Sequence, residues 1–201
     1  MPRNIVVIIA FSNVRHRNIT VSLFGFFQRD FFYLGGKMKE RGMYFGKDSI
    51  YQKIREVGGV WNDNKQRPIV CLIKSTEHDS LYWAIPVGNW KHRNNEAQQR
   101  IISYMNRPKR DIASCFYHVG NTTTKSIFFI SDVIPITENY IEREYVQYNG
   151  ITQYVIKNKK LLSELERKLF RILAFENSKP NYFRQHITDL KNNLLKELTQ
   201  C

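Results

Sequence analysis

Cysteine is scarce in this chain. Its 201 residues hold three, Cys71, Cys115 and Cys201, an odd number without C-x-x-C spacing. That pattern excludes a disulfide framework and fits a reducing cytoplasm. The five histidines show no H-x-x-x-H pattern, which argues against a zinc site. Cys71 and Cys115 lie in apolar runs and are expected to pack as small hydrophobes. Long apolar runs are also missing. The run at residues 5–11 covers seven residues, far short of a membrane span, and no clean cleavage site follows it. No internal repeat or low-complexity stretch is visible. Acids are few: 18 against 31 Lys plus Arg, for a formal net charge of +13 and a pI near 9.7. Such an excess is the footprint of a polyanionic partner, nucleic acid or an anionic surface. The plain alternative is a soluble basic protein with no such partner.

The length suits one domain with a substantial core. Residues 1–37 differ in composition from the rest, with six Phe and a single acid, Asp30. A basic amphipathic segment touching a membrane is a weak account of them. Gly35-Gly36-Lys37-Met38 offers a simpler one. In a bacterial gene, codons for Gly-Gly-Lys-Met can spell a ribosome-binding site followed by a start codon. Residues 1–37 are therefore read as a leader outside the true protein, and residues 38–201 as the single domain, with Met43 as another possible start. Losing five basic residues and one acid lowers the net charge from +13 to +9, so the polyanion argument survives.

Downstream, residues 47–57 read as helix or strand, broken by Gly58-Gly59. Branched residues after Pro68 predict a strand over 68–74. A polar turn and a second strand over 81–87 follow, the latter stopped by Gly88-Asn89, and together they form a hairpin. Apolar residues at 97, 101, 102 and 105 predict a helix over 95–105, with Pro108 as its stop. Strands are expected at 113–119 and 125–130 around a Gly120-Asn121 turn, then a short helix after Pro135 and Thr137, and an edge strand at 152–156. Leu161, Leu162, Leu165, Leu169, Ile172 and Leu173 form one stripe of a helix over 160–175, and 186–198 forms the last. Strands first and helices last argue for an α+β fold with a small, mainly antiparallel barrel and long C-terminal helices.

Two segments stand out. Residues 67–94 (RPIVCLIKSTEHDSLYWAIPVGNWKHRN) and 125–143 (KSIFFISDVIPITENYIER) each run from an apolar strand into a polar stretch. Over residues 65–175 the order RPIVCLI, LYWAIPV, NWKHR and FFISDVIPITENYI resembles the ToxN/AbiQ/CptN toxins of type III toxin–antitoxin systems. The resemblance rests on the order of elements. It implies an SH3-like barrel of the MazF/Kid/ToxN kind with added helices. It also implies a metal-independent endoribonuclease without cofactor, a hydrolase acting on mRNA in the cytoplasm. Its role would be antiviral defence by abortive infection. The implied inhibitor is an RNA antitoxin of tandem repeats, joined with the toxin in a protein–RNA hetero-oligomer away from any membrane. One position departs from the pattern. Where the family carries Thr-Ser after the proline of its second strand, this chain has Val87-Gly88 after Pro86.

The chemistry can be stated from the residues. Metal-free RNA cleavage requires a base for the 2′-OH, a cation for the phosphorane and an acid for the leaving 5′-oxygen. Asn89-Trp90-Lys91-His92-Arg93 holds such groups in five positions. Lys91 and Arg93 can carry phosphate charge, His92 can move a proton near neutral pH, and Trp90 can stack on a base. Lys91 and His92 compete as the general base. The bland alternatives are a solvated charge run and a tryptophan covering the end of the barrel. The resemblance turns Ser131 toward this loop as a phosphate contact, whereas Asp132 reads as a turn or cap residue. Thr124 and Lys125, with Thr122 and Thr123, supply hydroxyl and charge before the same strand, or simply a β-turn. Arg107, Lys109 and Arg110 form a basic loop suited to backbone phosphates. His118, alone in a strand, reads as structural.

Two other classes compete: a non-catalytic RNA- or DNA-binding protein, and a phage-type structural or accessory protein packing through its C-terminal helices. An upstream locus of tandem repeats favours the toxin. The leader reading predicts that a chain starting at Met38 folds and acts as the full chain does. Loss of solubility or activity in that shorter chain, measured side by side, contradicts it.

Overall fold

The computed structural model describes residues 38–61, 68–147, 150 and 152–200, excluding the side chains of Cys71 and Leu72. The expectations for residues 1–37, for Cys201 and for the packing of Cys71 lie outside the described residues. Cys115 is fully buried and free, in keeping with its apolar run.

Among the described residues the fold is α+β, with seven strands and four helices. The strands are β1 (Gly42–Gly46), β2 (Pro68–Lys74), β3 (Leu81–Asn89), β4 (Tyr117–Asn121), β5 (Lys125–Phe129), β6 (Ile134–Thr137) and β7 (Ile141–Glu144). The helices are α1 (Asp48–Glu56), α2 (Asn95–Met105), α3 (Lys159–Ser178) and α4 (Ile187–Gln200). Every strand pairing is antiparallel. The order β4-β5-β3-β2-β1-β7, with β6 beside β3, leaves the sheet open: β4 and β7 do not pair.

β3 organises the sheet. Along one edge it pairs β2, from Ile69 opposite Pro86 to Lys74 opposite Tyr82. Along the other it pairs β6 through Leu81–Ala84 and β5 through Val87–Asn89. Pro86, which has no N–H to give, falls where that second edge changes partner, so the ladder does not need the missing donor there.

Each face of the sheet carries its own core. The leucine stripe of α3 (Leu161, Leu162, Leu165, Leu169, Ile172) packs on Met43, Val70, Val87 and Phe128. Each such side chain contributes about 1.5–3 kcal/mol on burial. Asn158 caps α3, its Oδ1 accepting the Leu161 N–H at 3.1 Å. On the other face, Leu190 and Leu194 of α4 and Ile50 and Ile54 of α1 cover Tyr44, Ile69, Ile134 and Ile136. Met38 joins this second core, and its carbonyl accepts the Tyr82 hydroxyl at 3.0 Å.

Several boundaries differ from the sequence reading. β3 runs through Gly88-Asn89 because β5 supplies partners there, Ile127 and Ser126. Gly88 is required by close approach: a Cβ would lie 3.1 Å from the Phe129 ring and 3.2 Å from an Arg93 nitrogen. The strand expected at 113–119 starts later. Asp111 caps a 3-10 turn at Ile112–Cys115, its Oδ1 accepting the Ala113 N–H at 2.9 Å. The Gly120-Asn121 turn consequently moves to residues 122–124. After Thr137 there is only one 3-10 turn, Glu138–Tyr140, leading into β7. Residues 152–156 contribute two isolated bridges rather than a strand.

Gly59 joins α1 to the segment before α4. A Cβ there would lie 2.8 Å from the Gln185 backbone and 2.9 Å from Ile54. Backbone cannot yield as a flexible side chain does, so Gly59→Ala is predicted to lower stability by about 1–3 kcal/mol. Urea unfolding of the pair measures this, and coincident midpoints would contradict it.

Candidate nucleic-acid interface

Where β3 and β5 run beyond the N-terminal end of α3, the face that α3 covers opens into a cleft of about 340 Å³. Its floor is Met43, Pro68 and Val87. Its walls are Gly88, Asn89, His92 and Arg93 on one side and Thr122, Thr123, Thr124 and Ser126 on the other, with Tyr145 at a third. Among the described residues, no acidic side chain lines it.

The first wall is a braced turn. Asn89 accepts the Lys91 N–H on its Oδ1 at 2.9 Å, starting a 3-10 turn at Trp90–His92. The Arg93 N–H closes this turn on the Trp90 carbonyl at 3.1 Å. Asn94 then caps α2, its Oδ1 accepting the Ala97 N–H at 3.0 Å, and Gln98 reaches back to the Arg93 carbonyl at 3.0 Å. The guanidinium of Arg93 lies over the Phe129 ring at 5.2 Å. Its Nε is buried with no hydrogen-bond partner, and no carboxylate among the described residues pairs with it.

The second wall is the β4–β5 turn. The Thr122 N–H donates to the Thr124 carbonyl at 2.9 Å. The Thr122 and Ser126 hydroxyls share a hydrogen bond of 2.7 Å, and Ser126 donates to the Thr124 carbonyl at 3.1 Å. Register explains Ser126's place, since it pairs with Asn89.

The same register corrects the placement of Ser131. Three strand residues, ~10 Å at the usual rise, separate Ser126 from Phe129, and Ser131 lies in the turn beyond. Its carbonyl accepts Gln185 Nε2 at 2.9 Å, so it belongs to the junction with α4 and does not face the loop. Asp132, beside it, accepts a hydrogen bond from Arg184 at 2.9 Å.

Trp90 also departs from its expected role. Its ring is 8% exposed, packed with Ile101, Ile127 and Phe129, and Lys125 Nζ lies 5.3 Å from its centroid. It covers the end of the sheet and offers no open face for a base, and Lys125, held over it, is not in the cleft lining. Lys91 and His92 are both exposed, but only His92 lines the cleft. Arg107, Lys109 and Arg110 are exposed at the far end of α2, ~16 Å along the helix from Asn94. Arg107 is already paired with Asp111 at 3.3 Å and stacked on Tyr104 at 4.6 Å.

Of the expected residues, then, Asn89, His92, Arg93 and Thr124 meet in one cleft, while Lys91 and Lys125 are not in its lining. Ser126 and Tyr145 were not anticipated. A hydroxyl at a strand's start is a weak signal, and Tyr145 reaches the cleft only through the pairing of β7 with β1. Among the described residues no helix is long and apolar enough to cross a membrane, and no three His, Cys, Asp or Glu residues converge as a metal site would need. No protein-family model matches the chain, and no curated protein matches it.

His118 points away from this chemistry. Burial pushes its pKa down to about 4, and nearby Lys168 pushes the same way, with Glu164 opposing. Burial also lowers the pKa of Lys168, whose ammonium donates to the Tyr117 carbonyl at 2.6 Å. The folded chain therefore keeps His118 neutral where the unfolded chain, with the ordinary value of 6.5, protonates it. Stability from this group is complete above pH 6.5 and is lost as pH falls toward about 4. Unfolding at pH 7 and pH 4.5 is predicted to show a smaller pH-dependent loss for His118→Gln than for the parent. Parallel losses would contradict this assignment.

Proposed function

We propose that the chain is a metal-independent endoribonuclease toxin of a type III toxin–antitoxin system, serving phage defence and restrained by an RNA antitoxin of tandem repeats. The observation that carries this reading is the cleft. Among the described residues its lining combines a histidine, an arginine that no carboxylate pairs with and a set of hydroxyls, with no acid among them. A phosphodiester requires this combination: cationic charge around the phosphate, hydroxyl donors to its oxygens and a group that moves protons near pH 7.

Within the proposal, Arg93 stabilises the phosphorane and His92 moves the proton. Lys91 adds charge from outside the lining, and Thr122, Thr124 and Ser126 take over the hydroxyl role that Val87-Gly88 cannot fill. The SH3-like barrel of these toxins is part of the same proposal. Its support is the sharing of β3 between β6 and β5 along one edge, a pairing that bends one sheet toward two. Cytoplasmic action and assembly with RNA follow from the same reading.

A second reading, RNA binding without cleavage, draws on one observation: the Lys91 side chain is not in the lining, which leaves His92 as the lone imidazole or amine there among the described residues.

Rates on a purified RNA separate the two. Arg93→Ala and His92→Ala are each predicted to cost at least ~10²-fold in cleavage. Lys109→Ala should only weaken binding, with a shallower salt dependence, and Ser131→Ala should cleave at the parental rate. Induction of residues 38–201 should be toxic without the upstream repeats and harmless with them. Parental cleavage by both cleft variants would place the chemistry elsewhere. Binding without shortening of the RNA would establish the second reading.

A further inference from the structure

We infer that the partly exposed rings of Phe45 on β1, of Tyr145 just after β7 and of Tyr154 form a platform on which the bases of single-stranded RNA stack beside the cleft. The inference rests on the proposal that the cleft holds RNA. It supplies what Trp90 cannot, since that ring is buried.

The platform follows from register. Met43 and Phe45 lie two residues apart on β1 and so share the face that forms the cleft floor. Phe45 pairs with Pro68 on one side and with Arg143 of β7 on the other. Tyr145, two residues after Arg143, lines the cleft itself. Its ring lies 5.9 Å from Phe45, tilted by 42°, and 6.3 Å from Tyr154 at 89°. Tyr154 is fixed from the backbone: its N–H donates to the Tyr145 carbonyl at 2.8 Å and its carbonyl accepts the Met43 N–H at 3.0 Å. The Arg143 guanidinium caps the row, 3.8 Å from the Phe45 centroid, and also pairs with Glu142 at 3.8 Å.

All three rings are partly exposed, a state that a purely structural cluster has no need to keep. An aromatic row beside a cationic cleft is the arrangement that binds single strands: cations follow the phosphates while bases stack on rings. A guanidinium plane at the end of the row extends the stacking surface. The row is reached from the cleft through Tyr145, so a strand with its phosphate at Arg93 can lay its next bases on Tyr145 and Phe45.

The test uses a short 2′-O-methyl RNA, which binds but cannot be cleaved by 2′-OH attack, and a matched abasic strand with the same phosphates. The full chain serves as protein. Tyr145→Leu is expected to weaken binding to the RNA by ~10-fold or more, with the slope of affinity against salt unchanged and no loss against the abasic strand. Tyr145→Phe should bind as the parent does, because the ring and not the hydroxyl stacks. Should Tyr145→Leu fold poorly, Phe45→Leu is expected to show the same base-dependent loss in smaller measure. Equal losses on both strands, or no loss from either leucine variant while Arg93→Ala still weakens binding, would overturn the platform and leave the cleft reading standing. Absence of RNA binding by the parent would overturn both.

Discussion

The structure depends on one strand having more partners than a strand ordinarily has. β3 pairs β2 along one edge from Tyr82 to Pro86 and divides the other edge between β6 and β5. Its first half is therefore buried between the helices on both faces, and all seven residues from Leu81 to Val87 are buried. The last two, Gly88 and Asn89, are carried past the helices by β5 alone. The turn that follows is thereby projected beyond α3, and the cleft exists because strand pairing outlasts helix cover. Pro86 marks the change of partner at a point where its missing N–H does no harm.

The cleft's electrostatics follow from its packing. A guanidinium loses hydration when it is laid over a phenyl ring, and no carboxylate among the described residues makes up that loss for Arg93. Gly88 makes this arrangement possible by leaving the space that a side chain would fill. On the proposed reading a phosphate entering the cleft would complete the hydrogen bonding that the fold leaves open, and the net charge of +13 would favour a polyanionic partner. The hydrogen bonds of Asn89, Asn94 and Gln98 brace the backbone of the turn that carries Arg93.

Much of the fold is legible in the sequence. The hairpin strand at 68–74 and the helix at 95–105 have the bounds that Pro68 and the apolar spacing predict, and the leucine stripe of α3 is the core of one face. What is not legible depends on partners distant in sequence. β1 is five residues between glycines, GMYFG, too short for a periodicity to register, and β7 is four. The strand at Gly88-Asn89 is invisible because two turn-forming residues continue a strand only when a neighbour pairs with them. The site was legible as residue types and partly as a place. Asn89, His92 and Arg93 cluster because they are adjacent in sequence. Ser126 rather than Ser131 joins them because an antiparallel register joins the start of β5, not its end, to the end of β3. Trp90 shows the limit of reading an aromatic residue from sequence, since its burial depends on α2 folding back over it.

The central claim is that this cleft directs a ribose 2′-OH onto its own phosphate. Mass spectrometry of the RNA ends left by the purified chain, incubated with a chelator, tests it most directly. The account predicts fragments ending in a 2′,3′-cyclic phosphate, formed at the same rate with or without the chelator. Intact RNA, fragments ending in a 3′-hydroxyl, or cleavage that stops with the chelator and returns with a divalent ion would contradict it.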